Sequence, residues 1–395
     1  MKIIFITTLT PTPTNVKGPS SLPFHLIQNR PYDIDIDILT FNENNLSNHD
    51  IAESEKKLKC KINTIESCFS YKLLCCNGIR TLINRFSKLP LKAFQTTQIN
   101  IKTIIDDYDA VWIYPHILFK LVKNINKKII VTGPDSAALY YKRCLQDKYV
   151  QDKHLQYIYK NVYNKFLYLE KCWSKKPNVV LHFVGKADEK YYKQKTGGKS
   201  FFLLHPYNFK IENNNKYYRF KNKKISVVIS GAFDIYTYTD AKIIFDLLCH
   251  DSSFIQTYAF TFIGKGWELF SMRMSEVGYD VSHLYWVDDY FGEINKHDMQ
   301  LFPISVGVGT KGKVLDALCC GLLCVGSKYA FENINLIDRN SCLQYSNPNN
   351  IATILKYINN HRQMMNMVAM NGYNIVTNEH NPRAISADFF NCFTS

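Results

Sequence analysis

The sequence predicts an α/β protein of two Rossmann-like domains facing a central cleft. Its 395 residues, 46% of them hydrophobic, suffice for two cores of ordinary size. Short apolar runs that end in glycine, proline or polar residues alternate with helix-period segments, the pattern of parallel strands joined by crossover helices. A polar stretch over residues 207–222 separates two such series. The expected organisation is a first domain over 1–206, a linker over 207–222, and a second domain over 223–380.

Composition narrows the function classes. No apolar run reaches the roughly 18 to 20 residues that span a bilayer, and the strand-like start at Met1 is too short for a signal peptide, so a cytoplasmic chain is expected. The twelve cysteines are scattered, with adjacent pairs at Cys75-Cys76 and Cys319-Cys320 and no Cys-x-x-Cys spacing, which reads as reduced thiols in the core. A formal net charge of +14 favours anionic partners: phosphorylated substrates or phospholipid headgroups. Nucleic acid is set aside, because the basic residues are dispersed among apolar periodic segments and form no recognisable binding module.

Residues 2–7 read as a first strand, followed by a Pro/Thr/Gly loop to Ser20 and a helix over 21–28. A loop leaving the first strand of an open sheet faces the ligand crevice, which makes Lys17, Gly18 and Ser20 candidate contacts. Residues 32–39 alternate Asp and Ile and predict a strand with a solvated face; their Asp-x-Asp spacings are not taken as a metal site. The stretch 71–89 is basic and apolar by turns. It reads either as core packing with a solvated basic face or as a segment lying on a membrane, with Arg80, Arg85, Lys88 and Lys92 over headgroups and Leu82, Ile83 and Phe86 beneath.

Two further strands, 108–116 and 128–136, end in Pro115-His116 and Gly133-Pro134-Asp135-Ser136, and such ends line the crevice of a doubly wound sheet. His116 is a candidate to orient a hydroxyl and Asp135 to hold or deprotonate one. The alternative for His116 is a core histidine, and for Asp135 the N-cap of the helix beginning near Ala137. A strand over 178–185, a helix from Lys186 and a strand over 199–206 complete the first domain.

The second domain opens with a strand and glycine turn over 224–233. Residues 261–267 form another strand and glycine turn with Lys265 as a candidate phosphate ligand, and 284–289 a strand whose end, near Val287, would meet a base; Trp286 is expected in the core.

Residues 301–327 organise the rest. Gly307, Gly309 and Gly312 permit a tight turn with exposed N–H groups, and Thr310, Lys311 and Lys313 add hydrogen-bonding and positive charge where a helix begins, a place for phosphate. Val314, Leu315 and Leu318 give that helix an apolar face, Gly321 stops it, and residues 322–325 suit a buried parallel strand. Asp316, one turn into the helix, is placed to accept the hydroxyls of a ribose. Together these describe a nucleotide-diphosphate site.

Pro303, Gly307, Gly309, Lys311, Lys313, Leu315, Asp316, Ala317, Gly321 and Val325 make the stretch resemble the signature of retaining glycosyltransferases of the GT-B fold, family four, in the branch with a Gly-x-Gly-x-Lys-x-Lys loop followed by Leu-Glu-Ala. Asp316 stands where that branch has Glu, Leu323 where it has Pro, and Val308 where the larger family carries a second acid.

The resemblance implies transfer of a hexosyl group, with retention, from a UDP- or GDP-sugar to a glycan or lipid-linked acceptor in surface polysaccharide assembly, without a bound metal. The donor would lie on the second domain, held by Gly307, Gly309, Thr310, Lys311, Asp316, Lys265, Val287 and Glu332. Gly18 matches a glycine that the family places in its first loop. His116 and Asp135 would serve the acceptor, and the helix over 381–395 would return to the first domain. It also implies that the turn after residue 233 carries basic phosphate ligands, yet residues 234–240 have none. Two other readings stay open: a nucleotide-sugar epimerase of the same fold, and a non-catalytic sugar-nucleotide-binding or membrane scaffold.

Overall fold

The computed structural model describes residues 1–15, 19–147, 152–207 and 219–394. It divides into two units: Met1–Leu145, Asp152–Asn208 and Asn381–Ser395 form the first, Gln146–Gln151 and Phe209–His380 the second.

The first unit is a parallel sheet of β1 (Lys2–Thr7), β2 (Asp35–Thr40), β3 (Ile62–Thr64), β4 (Ala110–Tyr114), β5 (Lys128–Thr132), β6 (Val179–Phe183) and β7 (Ser200–Phe202), in the order β3-β2-β1-β4-β5-β6-β7. Both faces are buried, as parallel strands require, and the twofold period of a strand sorts the side chains. Ile3, Phe5, Trp112 and Tyr114 face one layer, which includes Phe389 and Phe390 of the helix Pro382–Asn391. Ile4, Ile6, Val111 and Ile113 face the other, with Trp173. The Trp112 ring packs 4.7 Å from that of Phe389, tilted by 53°, tying the helix Pro382–Asn391 to the centre of this sheet.

The second unit repeats the topology with β8 (Ile225–Ser230), β9 (Tyr258–Ile263), β10 (Asp280–Leu284), β11 (Met299–Phe302), β12 (Leu323–Ser327) and β13 (Leu343–Tyr345), in the order β10-β9-β8-β11-β12-β13. In both sheets the order reverses beside the first strand, between β1 and β4 and between β8 and β11. The crevice outside the carboxyl ends of strands at such a reversal is where open α/β sheets bind ligands.

Several sequence expectations change. The strand expected from residue 32 begins at Asp35, where pairing with Lys2 starts, and Tyr32 is fully exposed. The strand expected over 284–289 is β10, which ends at Leu284; Asp289 instead caps the helix Tyr290–Ile294, accepting from the Gly292 N–H at 2.9 Å. Trp286 therefore sits on a turn past a sheet edge, 81% exposed, and not in the core. Most of the expected linker, 208–218, lies outside the described residues. At its end Arg219 is buried in the second unit, donating to the carbonyls of Cys320 at 2.6 Å and Gly321 at 2.9 Å and also to those of Asn295 and His297. All twelve cysteines are free thiols, five of them buried and Cys75 and Cys76 exposed.

Candidate functional site

In the second unit, the stretch 301–327 folds as a strand end, a glycine loop, the helix Gly312–Cys319 and strand β12. Gly309 has φ 64°, the left-handed conformation that favours glycine. The helix ends in a Schellman motif: Gly321, at φ 67°, donates to Leu318 O and Leu322 to Ala317 O. Its apolar face, Val314, Leu315 and Leu318, is fully buried. The chain is thus forced to start the helix beside the carboxyl end of β11 and to return as a central strand.

Neighbouring loops are fastened to this one. The Tyr236 carbonyl, in the turn after β8, accepts the Ser305 N–H at 2.8 Å and the Val306 N–H at 3.3 Å. Ser327 Oγ at the end of β12 donates to Ile304 O at 2.5 Å and also caps the helix Lys328–Phe331, which leads to the half-buried Glu332. The glycine turn after β9 packs on the one after β8. A Cβ on Gly264, φ 120°, would stand 2.6 Å from Gly231 O, so this approach requires glycine.

The two lysines of the loop do different things. Lys311 Nζ turns back on its own loop and donates to Val308 O at 2.5 Å and Gly309 O at 2.9 Å, with its stem across Gly307. Lys313 reaches the other way, from the first helical turn to the end of β8, where its Nζ is 3.4 Å from Ser230 O and 3.6 Å from the position of a Cβ on Gly231. Burial pushes its pKa down to about 8; Asp234 opposes that shift and Lys311 adds to it. The turn after β8, which has no cation of its own over 231–240, thus receives one from the helix after β11.

Beside it lies a buried polar chain. Gln300 Nε2 donates to Ser230 Oγ at 2.6 Å, and Ser230 Oγ pairs with the Tyr290 hydroxyl at 2.8 Å. Burial, with the charge of Asp316 added, drives the Tyr290 pKa upward, so this phenol stays protonated near the Asp316 carboxylate. Gln300 Oε1 is buried with no hydrogen-bond partner among the described residues, an open acceptor at the sheet's reversal point. Sequence reading missed Ser230, Tyr290 and Gln300, although a glutamine inside the apolar strand Met299–Phe302 was a visible anomaly.

Lys265 is exposed on the turn after β9, and Val287 is half-buried on the turn after β10. With Gly307, Gly309, Thr310, Lys311 and Glu332 they belong to loops leaving the carboxyl edge of one parallel sheet, and Asp316 to the helix that follows one of these loops. Val308 is buried.

In the first unit, His116 and Asp135 follow the adjacent strands β4 and β5. His116 is buried, neither ring nitrogen has a hydrogen-bond partner among the described residues, and burial pushes its pKa down to about 4. It is a neutral imidazole at physiological pH. Gly133 makes room for it, since a Cβ there would stand 2.9 Å from Nδ1.

The N-cap of the helix Ala137–Gln146 is Ser136, not Asp135: the Leu139 N–H donates to Ser136 Oγ at 3.1 Å. Asp135, half-buried, is relieved of that duty, and its charge adds to the burial that raises the Tyr114 pKa. The Tyr114 hydroxyl donates to Pro19 O at 2.5 Å, which links the loop after β1 to this edge. Lys17 and Gly18 lie outside the described residues. No cluster of residues able to hold a metal ion occurs among the described residues.

No protein-family model matches the chain, and no curated protein matches it in sequence. Solved structures match it over its whole length. Sucrose-phosphate synthase from Thermosynechococcus elongatus superposes with a TM-score of 0.68 at 12% identity, covering 100% of this chain and 98% of its own. Anabaena HepE in complex with UDP gives 0.63 at 12% identity with both chains fully covered. WaaG, a glycosyltransferase involved in lipopolysaccharide biosynthesis, gives 0.59 at 11%, again with full coverage of both. The fold is GT-B, two Rossmann-like α/β units.

Proposed function

We propose that the protein is a retaining glycosyltransferase whose second unit binds a nucleotide diphosphosugar. The observation that carries this is the convergence of the 303–311 loop, Lys313 and Asp316 on the reversal point between β8 and β11. Diphosphate would rest on the loop's backbone, with Lys311 holding the loop's shape and Lys313 meeting the charge. Asp316 would take the ribose hydroxyls, groups around Val287 the base, and Lys265 and Glu332 the outer rim of the donor. The UDP held by HepE supports a uridine donor.

On the first unit, Asp135 would accept the acceptor hydroxyl's proton or a hydrogen bond from it. Neutral His116, both ring nitrogens buried and without a hydrogen-bond partner among the described residues, would orient a sugar hydroxyl once substrate binding uncovers it. The acceptor we assign is a glycan or lipid-linked glycan of surface polysaccharide assembly, met at the cytoplasmic face of a membrane. No helix among the described residues is long and apolar enough to cross one.

Calorimetry with UDP, GDP and their sugar conjugates tests the donor site. Saturable binding of UDP is expected, and failure of every nucleotide to bind removes the proposal. With acceptor added, a transferase releases nucleoside diphosphate and keeps the donor's anomeric configuration in the product by NMR. Conversion of the donor without acceptor would mean an epimerase. Binding without either reaction would mean a scaffold, the outcome that the buried Val308 in place of the family's second acid favours.

A further inference from the structure

The helix Asn77–Phe86 in the first unit buries none of its residues. Ile79, Leu82 and Phe86, spaced i, i+3, i+7, share one face of it, and Leu82 and Phe86 are 58% and 72% exposed. The short helix Phe69–Leu74 packs beside it and adds exposed Phe69 and Leu73. The stretch 71–89 divides between the two readings: Tyr71 is buried and Ile83 and Leu89 are half-buried, as core packing requires, whereas Leu73, Ile79, Leu82 and Phe86 are exposed.

What holds the helix is polar. Buried Lys165 donates to the carbonyls of Ile83 and Asn84, at 3.3 and 2.6 Å, and so binds the helix's carboxyl end to the helix Lys153–Ser174. Nothing among the described residues covers the apolar side chains.

The charge around them selects the occupant. Between Glu66 and Asp106 the sequence has six Lys and Arg and no acid. Lys72 and Lys92 are balanced by Glu66 and Glu43, whereas exposed Arg80, Arg85 and Lys88 take part in no described ion pair. The Arg85 guanidinium lies 5.5 Å from the Phe86 ring, cation and apolar anchor side by side. A second copy seated symmetrically on this face would oppose like charges. A planar anionic surface with an apolar interior matches both components.

We propose that the helices Phe69–Leu74 and Asn77–Phe86 dock the protein on an anionic phospholipid surface, with Leu82 and Phe86 inserted among the acyl chains and Arg80, Arg85 and Lys88 on the phosphates. This deepens the membrane part of the proposed function, does not depend on the donor site, and rests on exposed residues of the first unit alone.

The test is sedimentation of the full chain with phosphatidylcholine vesicles and with the same vesicles containing phosphatidylglycerol. Binding is expected to the anionic vesicles only, weakened by salt, and reduced about tenfold or more in Leu82→Ser/Phe86→Ser and in Arg80→Glu/Arg85→Glu. Hydrogen-exchange protection of β1, β4 and β5 in both double variants, measured in the same preparations, is expected to match the wild type and shows that the first unit is folded. Absence of wild-type binding to anionic vesicles, or unchanged binding by both variants, overturns the proposal. So does a dimer in light scattering that Leu82→Ser/Phe86→Ser converts to monomer without any vesicle binding. A chain that binds vesicles but no nucleotide would retain this inference while removing the donor reading.

Discussion

Lys313→Ala is expected to weaken UDP binding by about 100-fold, an energy of about 3 kcal/mol, while Lys311→Ala costs about tenfold. The difference follows from where the two ammonium groups stand. Lys311 spends its donors on the Val308 and Gly309 carbonyls, so removing it loosens the loop without removing a cation from the turn after β8. Lys313 stands over Ser230 and Gly231, at a turn with no other basic residue through Asp240.

The pH dependence has a definite sign. With its pKa near 8 in the unliganded protein, Lys313 is half deprotonated at that pH and mostly neutral above it. A bound diphosphate favours the charged form, so binding takes up a proton and UDP affinity falls as pH rises past about 8, by up to tenfold per unit. Calorimetry between about pH 7 and pH 9 in buffers of different ionisation enthalpy reads both the affinity and the proton. A larger loss in Lys311→Ala than in Lys313→Ala, or a wild-type affinity flat across that range, would remove Lys313 from the phosphate.

The contrast between these lysines marks what the sequence could show. The glycine loop, the helix after it and the buried strand β12 were legible because each rests on local rules: left-handed glycines, an apolar face at helical spacing, an apolar run. The same holds for β1, β4 and β5, and for Asp33 and Asp35 on the solvated side of their stretch. Which lysine reaches the turn after β8 was not legible, since Lys313 meets Ser230 across 83 positions of sequence. Gln300, Tyr290 and Ser230 escaped for the same reason, being joined only once β8 and β11 lie side by side. Trp286 misled because a tryptophan after an apolar run reads as core, whereas β10 is an edge strand that stops two residues earlier. The stretch 71–89 stayed ambiguous because an amphipathic pattern says which face is apolar and not what covers it.

Glu170 offers the second large effect, on the stability of the first unit. It is buried near the carboxyl end of the helix Lys153–Ser174, accepts from Ser136 Oγ at 2.8 Å, and is bonded by the Ala138 N–H. Its other oxygen, Oε2, has no partner among the described residues. Asp188 stands close by and accepts the Ser136 N–H at 2.8 Å, with Tyr191 and Tyr192 on the same helix as Asp188. Two acids thus grip the residue next to Asp135. Burial raises the Glu170 pKa from 4.5 to about 7; the two hydrogen bonds oppose the shift and Asp188 adds to it.

Because the folded-state value is the higher one, the folded protein binds the extra proton. The stabilisation is complete below about pH 4.5 and is lost as pH rises toward 7, amounting to about 3 kcal/mol at most. Glu170→Gln keeps an acceptor for Ser136 and Ala138 but has no proton to lose. It is expected to flatten the stability of this unit between about pH 5 and pH 8, to exceed wild type at the upper end by about 2 kcal/mol, and to leave the Asp135 turn in place. Urea-dependent hydrogen exchange on peptides spanning residues 137–146 and 160–174 reads this unit apart from the other. An unchanged pH slope in Glu170→Gln would show that Glu170 is ionised in the folded protein at neutral pH. The turn carrying Asp135 would then rest on two buried negative charges held by Ser136 and the amide of Ala138.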